Sequence, residues 1–385
     1  MVLPPMMYNP TEQEEEWLVD QTEKWFQERA IYNGIMKSIS ILDGNADENK
    51  GAIPTILSNA LGVCFDTNIG HDYLESVDER YDFYTQDEER LPFDLDYFNR
   101  ITKGGLPNKT LNIALAGTGV GKSLFMCHCA GASLSQGKNV LYITMEMAEE
   151  RIAERIDANL LNVPIDQLEH LSKDMFSNRV QSIADKTTGK LIIKEYPTGS
   201  AHANHFRALL NELKLKKQFV PDMIFIDYLN ICASARMKGM GGAINSYSYI
   251  KSIAEELRGL AVEFDVPIVS ATQTTRSGFT NDDVGLEDTS ESFGLPATAD
   301  FMFALISNDE LKANNQILVK QLKNRYNDLS TYQRFVVGID RAKMRLYDVD
   351  QNDSPLNKEV DNGPAFDNSN TGQRINTERF ADFTL

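Results

Sequence analysis

The run Leu111 to Ser123 reads Leu-Asn-Ile-Ala-Leu-Ala-Gly-Thr-Gly-Val-Gly-Lys-Ser, and no other segment constrains the chain as much. An apolar stretch of strand length meets a glycine-rich turn that closes on Gly-Lys-Ser and leads into a helical pattern. Glycines allow backbone N–H groups to approach an anion, and the helix that follows aims its positive end at the same point. A turn built this way wraps the phosphates of a nucleoside triphosphate such as ATP. Gly117, Thr118, Gly119, Val120, Gly121 and Leu124 form the cradle, Lys122 reaches the β- and γ-phosphates, and the Ser123 hydroxyl holds Mg²⁺. The strict form of the pattern begins with Gly, where this sequence has Ala116. The surrounding elements must therefore carry the reading, and the turn alone does not say what the nucleotide drives.

The chain has 385 residues, of which 42% are hydrophobic, enough for one large or two modest domains. Its sequence has no apolar run near the ~18 residues of a membrane span. Met1 to Pro10 contains neither a basic region nor an apolar signal core, so the expectation is a cytoplasmic protein without membrane contact. The cysteines are Cys64, Cys127, Cys129 and Cys232. Cys127-His128-Cys129 has the look of a metal site, but on a helix positions i and i+2 point about 200° apart and cannot share an ion. Small buried residues in a reducing compartment are expected instead. His202 and His205 have no acidic or cysteine ligand beside them, and a solvated or capping role is expected.

The net charge of −18 argues at first against a nucleic-acid partner. Residues 1–100 hold 21 Asp and Glu against 7 Lys and Arg, and residues 350–385 hold 7 against 3. The remaining residues, 101–349, hold 28 of each. The acidity belongs to the flanks and leaves the middle of the chain free to carry local basic loops.

Thr11-Glu12-Gln13-Glu14 reads as a capping box opening a long helix, about 11–42, with Leu18, Trp25, Tyr32 and Ile39 seven apart. That stripe either packs on its own domain or docks on a neighbouring subunit. Asp43 to Ile53 is a polar linker, and 54–100 is acidic and aromatic, with short helices. From 101 to 349 strand patterns at 110–116, 139–145, 190–196, 222–229, 266–272, 300–307 and 316–322 are interleaved with helical ones at 122–136, 147–161, 203–217 and 246–264. This alternation predicts an α/β fold with a mostly parallel sheet, followed by an antiparallel hairpin at 333–349. From Asp350 to Leu385 the composition is that of a disordered tail.

In such sheets the strand ends around the phosphate loop complete the site. Asp227 ends the strand Ile224-Phe225-Ile226 and fits the acid that holds Mg²⁺. Glu146 ends strand 139–145, expected beside the phosphate-loop strand, where a carboxylate serves as general base for water. Gln273 ends strand 266–272 and is placed to sense the γ-phosphate.

These elements, in this order, resemble the RecA-type core, and within it the DnaB-like replicative DNA helicases. The run Thr110 to Asp157 with Met-Glu-Met-Ala-Glu-Glu at 145–150, Gly-Leu-Pro-Ala-Thr-Ala-Asp at 294–300, and Tyr196-Pro197-Thr198-Gly199 are similar to the helicases of T-even-like tailed phages. That family has Ala at the site of Ala116. The resemblance implies ATP and Mg²⁺ as cofactors, Glu146 as base, Asp227 as the Walker B acid, and Gln273 with Arg276 as a sensor between nucleotide and DNA. Arg155 falls where the family has an Arg after the base. In Lys320-Gln-Leu-Lys-Asn-Arg325, Lys323 and Arg325 match a Lys-x-Arg motif that reaches the next subunit's ATP site, with Arg325 as an arginine finger.

The resemblance further implies a homo-hexameric ring that unwinds DNA 5′→3′ at a phage replication fork in the infected bacterial cytoplasm. Single-stranded DNA, a primase, a helicase loader and the polymerase are the implied partners. DNA-facing loops match Ser234 to Asn245, with Arg236, Lys238 and Gly239, and Ser277 to Leu295. The family carries a helical N-terminal domain ahead of the linker helix, where this sequence has only Met1 to Pro10. The collar and primase-docking surface are expected to be missing or to come from another chain. Two alternatives stay open: a recombination ATPase forming filaments on the same core, and a truncated ring subunit or adaptor that unwinds nothing.

Overall fold

The computed structural model describes residues 12–44, 49–63, 73–74, 77–78, 80–81, 89–237, 246–274, 285 and 294–351. The chain divides into two compact units, Met1–Asp87 and Glu88–Leu385. Thr11 and the tail beyond 351 lie outside the described residues.

In the first unit α1 (Glu12–Leu42) turns back through a short 3₁₀ segment into α2 (Ile53–Leu61). The two helices meet at Gly34, where an added Cβ would lie 3.0 Å from the Ala60 methyl. Ser38 and Ile41 are buried at this contact. Leu18, Trp25, Tyr32 and Ile39, the seven-spaced stripe, remain exposed.

The second unit begins with a two-stranded antiparallel ribbon, β1 (Arg90–Leu91) and β2 (Leu106–Pro107), flanking α3 (Asp96–Ile101). The phosphate-loop strand β3 (Leu111–Ala116) follows, with α4 (Lys122–Ser135), β4 (Val140–Thr144), α5 (Glu149–Leu160), α6 (Lys173–Ala184) and β5 (Leu191–Glu195). Next come α7 (Ala203–Lys217), β6 (Met223–Asp227), α8 (Ser246–Glu263), β7 (Ile268–Gln273), α9 (Gly294–Thr298) and β8 (Phe301–Ile306). The chain closes with α10 (Asp309–Ala313), β9 (Gln316–Asn324), β10 (Arg334–Asp340) and β11 (Arg345–Asp348).

These strands form one nine-stranded sheet in the order β11-β10-β9-β8-β3-β7-β6-β4-β5. β8 through β5 are parallel, and β9, β10 and β11 extend the sheet antiparallel, as the alternation of patterns predicts. One expectation fails. β4 is not beside β3, because β7 and β6 lie between them. Strand order is set by where each helical crossover returns to the sheet, and nothing in the spacing of the strands records that. α6 was not anticipated either. Phe176, Val180 and Ile183 share one face of it, but none of its side chains is fully buried.

Side chains alternate across the sheet as the strand period requires. Leu111, Ile113 and Leu115 face one core with Phe206, Leu210, Ile253 and Leu257 from α7 and α8. Ala114 and Ala116 face the other, with Phe98, Phe125 and Ile156 from α3, α4 and α5. The small side chains at 114 and 116 let α4 come close to the strand it follows. Phe98 is the hub of that second core, its ring 5.4 Å from Phe125, 5.1 Å from Phe303 and 5.3 Å from Phe335.

The histidine pair caps a helix. His202 is the N-cap of α7, and its N–H donates to Nδ1 of His205 at 3.2 Å. In α4, Cys127 and Cys129 are buried, and burial pushes the Cys127 thiol up to about 12. His128 between them reaches Asp94 Oδ1 at 3.0 Å through its Nε2.

Phe98 is completely buried against four rings, those of Phe93, Phe125, Phe303 and Phe335, so Phe98→Ala is expected to destabilise this unit by about 3–5 kcal/mol. Urea unfolding followed by near-UV circular dichroism measures the shift; a loss under 1 kcal/mol would contradict its place at the hub.

Candidate active site

The loop between β3 and α4 takes its shape from two glycines, Gly119 at φ 76° and Gly121 at φ 138°, conformations that side chains disfavour. α4 starts at Lys122, so its first amides open toward the loop. Behind the loop, a Cβ at Gly121 would meet Ile317 and Ile339 at 3.5 and 3.8 Å, which seats the turn on β9 and β10. Arg341, just after β10, donates to the carbonyls of Val120 at 3.2 Å and Gly119 at 3.5 Å. Sequence reading missed Arg341, because the residues that bring it to the loop are more than two hundred positions away.

β6 delivers Asp227 to the loop. Its carboxylate is 1% exposed, and Oδ2 accepts from the Tyr142 hydroxyl at 2.9 Å. Oδ1 is buried and accepts no hydrogen bond among the described residues. Burial pushes the Asp227 pKa up, while Tyr142, Ser123, Lys122 and Arg155 pull it back down. Lys122 is also buried, and loss of hydration pushes its pKa down against the pull of Glu146 and Asp227. One cause, burial, disfavours both charges, and each partly restores the other. The site thus gathers Lys122, Ser123, Asp227, Glu146 and Arg155, although β4 and β6 are not β3's neighbours.

Gln273 is the register partner of Ala116, so the end of β7 lies level with the start of the loop. Its Nε2 donates to the Tyr228 hydroxyl at 3.2 Å. The Tyr228 ring in turn lies 4.8 Å from the Lys122 ammonium, within range of a cation–π contact. Tyr228 therefore joins Gln273 to Lys122. Its position directly after Asp227 is the signal that the sequence offered. Tyr142 offered none, being one aromatic residue within an apolar strand. Glu146 is exposed at the mouth of the site.

The oxygen donors suit magnesium. Ser123 and Asp227 present a hydroxyl and a carboxylate, the hard ligands that Mg²⁺ takes, and Asp227 Oδ1 is a buried acceptor without a donor. The positive-φ glycines and the first turn of α4 suit a phosphate chain.

Lys323 and Arg325 lie elsewhere. β9 runs antiparallel to β8 with Asn324 opposite Phe301, and Phe301 is level with Asn112. Both cations therefore sit at the Leu111 end of β3, about 15–20 Å of strand away from the phosphate loop. Lys323 Nζ donates to the carbonyls of Pro296 at 2.6 Å and Ala297 at 3.1 Å. Burial lowers its pKa, with Arg325 adding to the effect. Arg325 Nη1 contacts Asp300 Oδ1 at 2.7 Å.

Of the nucleic-acid candidates, Lys238, Gly239 and Arg276 lie outside the described residues. Arg236 is described, and Nη1 pairs with Glu255 at 2.8 Å. The chain leading to it is held by the buried Glu256, which accepts from Ser234 Oγ at 2.6 Å, the Ala235 N–H at 2.9 Å and the Arg236 N–H at 3.3 Å.

A phosphate loop after the central strand of a mostly parallel sheet, with carboxylates at the ends of two further parallel strands, defines a RecA-like P-loop NTPase. The family model for the DnaB-like helicase C-terminal domain matches residues 91–336, and the chain belongs to that family of ATP-dependent replicative DNA helicases. A DnaB-like replicative helicase of Enterobacteria phage T4 is 45% identical over 352 residues, covering 88% of this chain and 74% of the relative. A probable plasmid replicative DNA helicase of Chlamydia psittaci is 30% identical over 228 residues, covering 56% of this chain and 47% of that protein. A solved DnaB-like replicative helicase, studied with its interactions with primase, shares the fold. Its TM-score is 0.62 at 16% identity, over 89% of this chain and 80% of that one. Among the described residues, no helix is long and apolar enough to cross a membrane.

Tyr142→Phe removes a contact that lowers the Asp227 pKa, so the carboxyl is expected to titrate at higher pH. The lost hydrogen bond costs about 1–3 kcal/mol of stability. Carboxyl ¹³C NMR across a pH series reads the first effect; an unchanged or lowered Asp227 titration would refute the assignment.

Proposed function

We propose that this chain is the motor subunit of a hexameric ring that hydrolyses ATP to move 5′→3′ along single-stranded DNA and unwind duplex at a replication fork. In this reading residues 101–349 are the ATPase domain, 1–100 an acidic linker region whose α1 docks on a neighbouring subunit, and 350–385 a tail. Primase, a helicase loader and the polymerase are its partners, and the infected bacterial cytoplasm is its location. The observation that carries the proposal is the separation along β3. The phosphate loop is at one end and Lys323 and Arg325 are at the other, so neither cation reaches the loop of its own chain. A complete site requires a second copy.

Gly117 through Leu124 hold the phosphates through their amides, and Ser123 and Asp227 hold magnesium. The metal, when bound, neutralises charge as the phosphoryl group leaves. Lys122, poorly hydrated in its buried position, has its charge available for the β- and γ-phosphates rather than for water. Glu146 orients a water molecule and takes its proton on the exposed carboxylate. Gln273, through Tyr228, senses whether Lys122 is engaged, and with Arg276 passes that state toward DNA. Arg155 joins Tyr142, Ser123 and Lys122 in favouring the charged form of Asp227. Arg325 and Lys323 of the neighbouring copy complete the charge balance, which ties hydrolysis to contact between subunits. Arg236, Lys238 and Gly239 contact the DNA backbone.

Lys122→Ala is expected to abolish fork unwinding and to lower ATPase kcat at least about 100-fold. A fluorescent fork substrate with the full chain measures this; intact unwinding by the variant would end the proposal. Arg325→Ala and Glu146→Ala are each expected to be inactive, while mixing them restores part of the ATPase activity. Mixed interfaces pair an intact Glu146 with a neighbour's intact Arg325. No recovery from mixtures that assemble would exclude a shared site.

A further inference from the structure

Asp300 lies just before β8, and its side chain is 5% exposed. Three donors converge on it. The Leu111 N–H donates to Oδ2 at 3.0 Å, which fixes the carboxylate to the first residue of β3. The Arg258 guanidinium, from α8, takes it as a fork: Nε lies 3.1 Å from Oδ2 and Nη2 lies 3.2 Å from Oδ1. Arg325 Nη1 takes Oδ1 at 2.7 Å, and the Arg325 N–H donates to the Asp300 carbonyl at 3.0 Å. Among the described residues, only one edge of the Arg325 guanidinium is used in this way. Among the same described residues, Nη2 has a single long contact, 3.5 Å to the Ala297 carbonyl.

Charge adds a second argument. Arg258, Lys323 and Arg325 crowd one carboxylate, and both Arg258 and Arg325 help lower the Lys323 pKa. Three cations against Asp300 and Glu255 leave one positive charge in excess. Arg258 and Arg325 both line a surface cavity of about 380 Å³, with Gly259, Ala297 and the Arg236-paired Glu255 in its wall. An exposed pocket with excess positive charge attracts an anion, and planar guanidinium groups suit a phosphate.

We propose that Asp300 and Arg258 are positioning residues for Arg325. The inference rests on the reading of Arg325 as the cation supplied to a neighbour's nucleotide. Arg258 and the Leu111 amide set the Asp300 carboxylate. Asp300 then holds Nη1 of Arg325 and leaves Nη2 and Nε to face the adjoining copy.

The test is steady-state ATPase activity of the full chain with single-stranded DNA, comparing Arg258→Ala, Arg258→Lys, Asp300→Asn, Arg325→Ala and the double variant Arg258→Ala/Arg325→Ala. Arg258→Ala is expected to lower kcat about tenfold while KM for ATP stays within about twofold. Arg258→Lys, which keeps charge but not the fork, recovers only part of that loss. The double variant is expected to be no worse than Arg325→Ala alone, because a positioning residue has nothing left to position. Asp300→Asn, which retains an acceptor for Leu111, reports on the same link if Arg258→Ala does not fold. A wild-type kcat in Arg258→Ala or in Asp300→Asn beside an inactive Arg325→Ala would overturn the positioning role and leave the finger standing. Additive losses in the double variant would overturn it as well. A wild-type kcat in Arg325→Ala would remove both readings together.

Discussion

β3 is hydrogen-bonded along both edges and buried along its whole length, so its six residues have little freedom to shift. Both groups of candidate residues are referred to that one strand. At its C-terminal end the chain must turn through Gly119 and Gly121, and Gln273 is held level with the turn by register. At its N-terminal end the Leu111 amide fixes Asp300, which holds Arg325. The distance between phosphate loop and cation cluster is thus fixed by the length of a buried strand, and side-chain flexibility cannot close it.

The buried charges show how the fold supports this arrangement. Asp300 and Glu256 each receive several donors within their own chain, the usual condition for a carboxylate to remain buried. Asp227 and Lys122 are less completely matched. Asp227 has one oxygen without a donor, and Lys122 relies on an aromatic face and on carboxylates that act through space. Incomplete pairing of buried charge is costly in a chain with no ligand, and it is concentrated at the loop where the family binds its nucleotide.

Much of this was legible in the residues. The phosphate loop reads directly because glycine placement and a terminal Gly-Lys-Ser have few other physical uses. Apolar runs with helical spacers gave seven strands of the sheet because buried parallel strands are apolar on both faces. Strand order was not legible, which is why Glu146 was expected on a strand adjacent to β3. The helix α6 escaped notice because its apolar face is short and at most half-buried. Tyr142, Arg258 and Arg341 owe their places to tertiary packing. A tyrosine within a strand and an arginine on a helix surface have the same local signature whether or not they touch a site. The acidic flanks were correctly separated from a neutral middle, since that distinction depends on counting alone.

Helix α8 carries Glu255 and Glu256, which hold Arg236 and the chain before it, and Arg258, which holds Asp300. These three residues occupy a single helical turn. A backbone hydrogen-bonded at every residue cannot stretch between them, so a displacement of the 234–236 segment greater than the slack of its hydrogen bonds either breaks them or rotates the whole helix. Rotation about the α8 axis moves the 255–256 side chains and the Arg258 guanidinium through the same angle. The two surface features behave mechanically as the two arms of one lever, with the apolar face of Ile253, Leu257 and Leu260 as its bearing against the sheet.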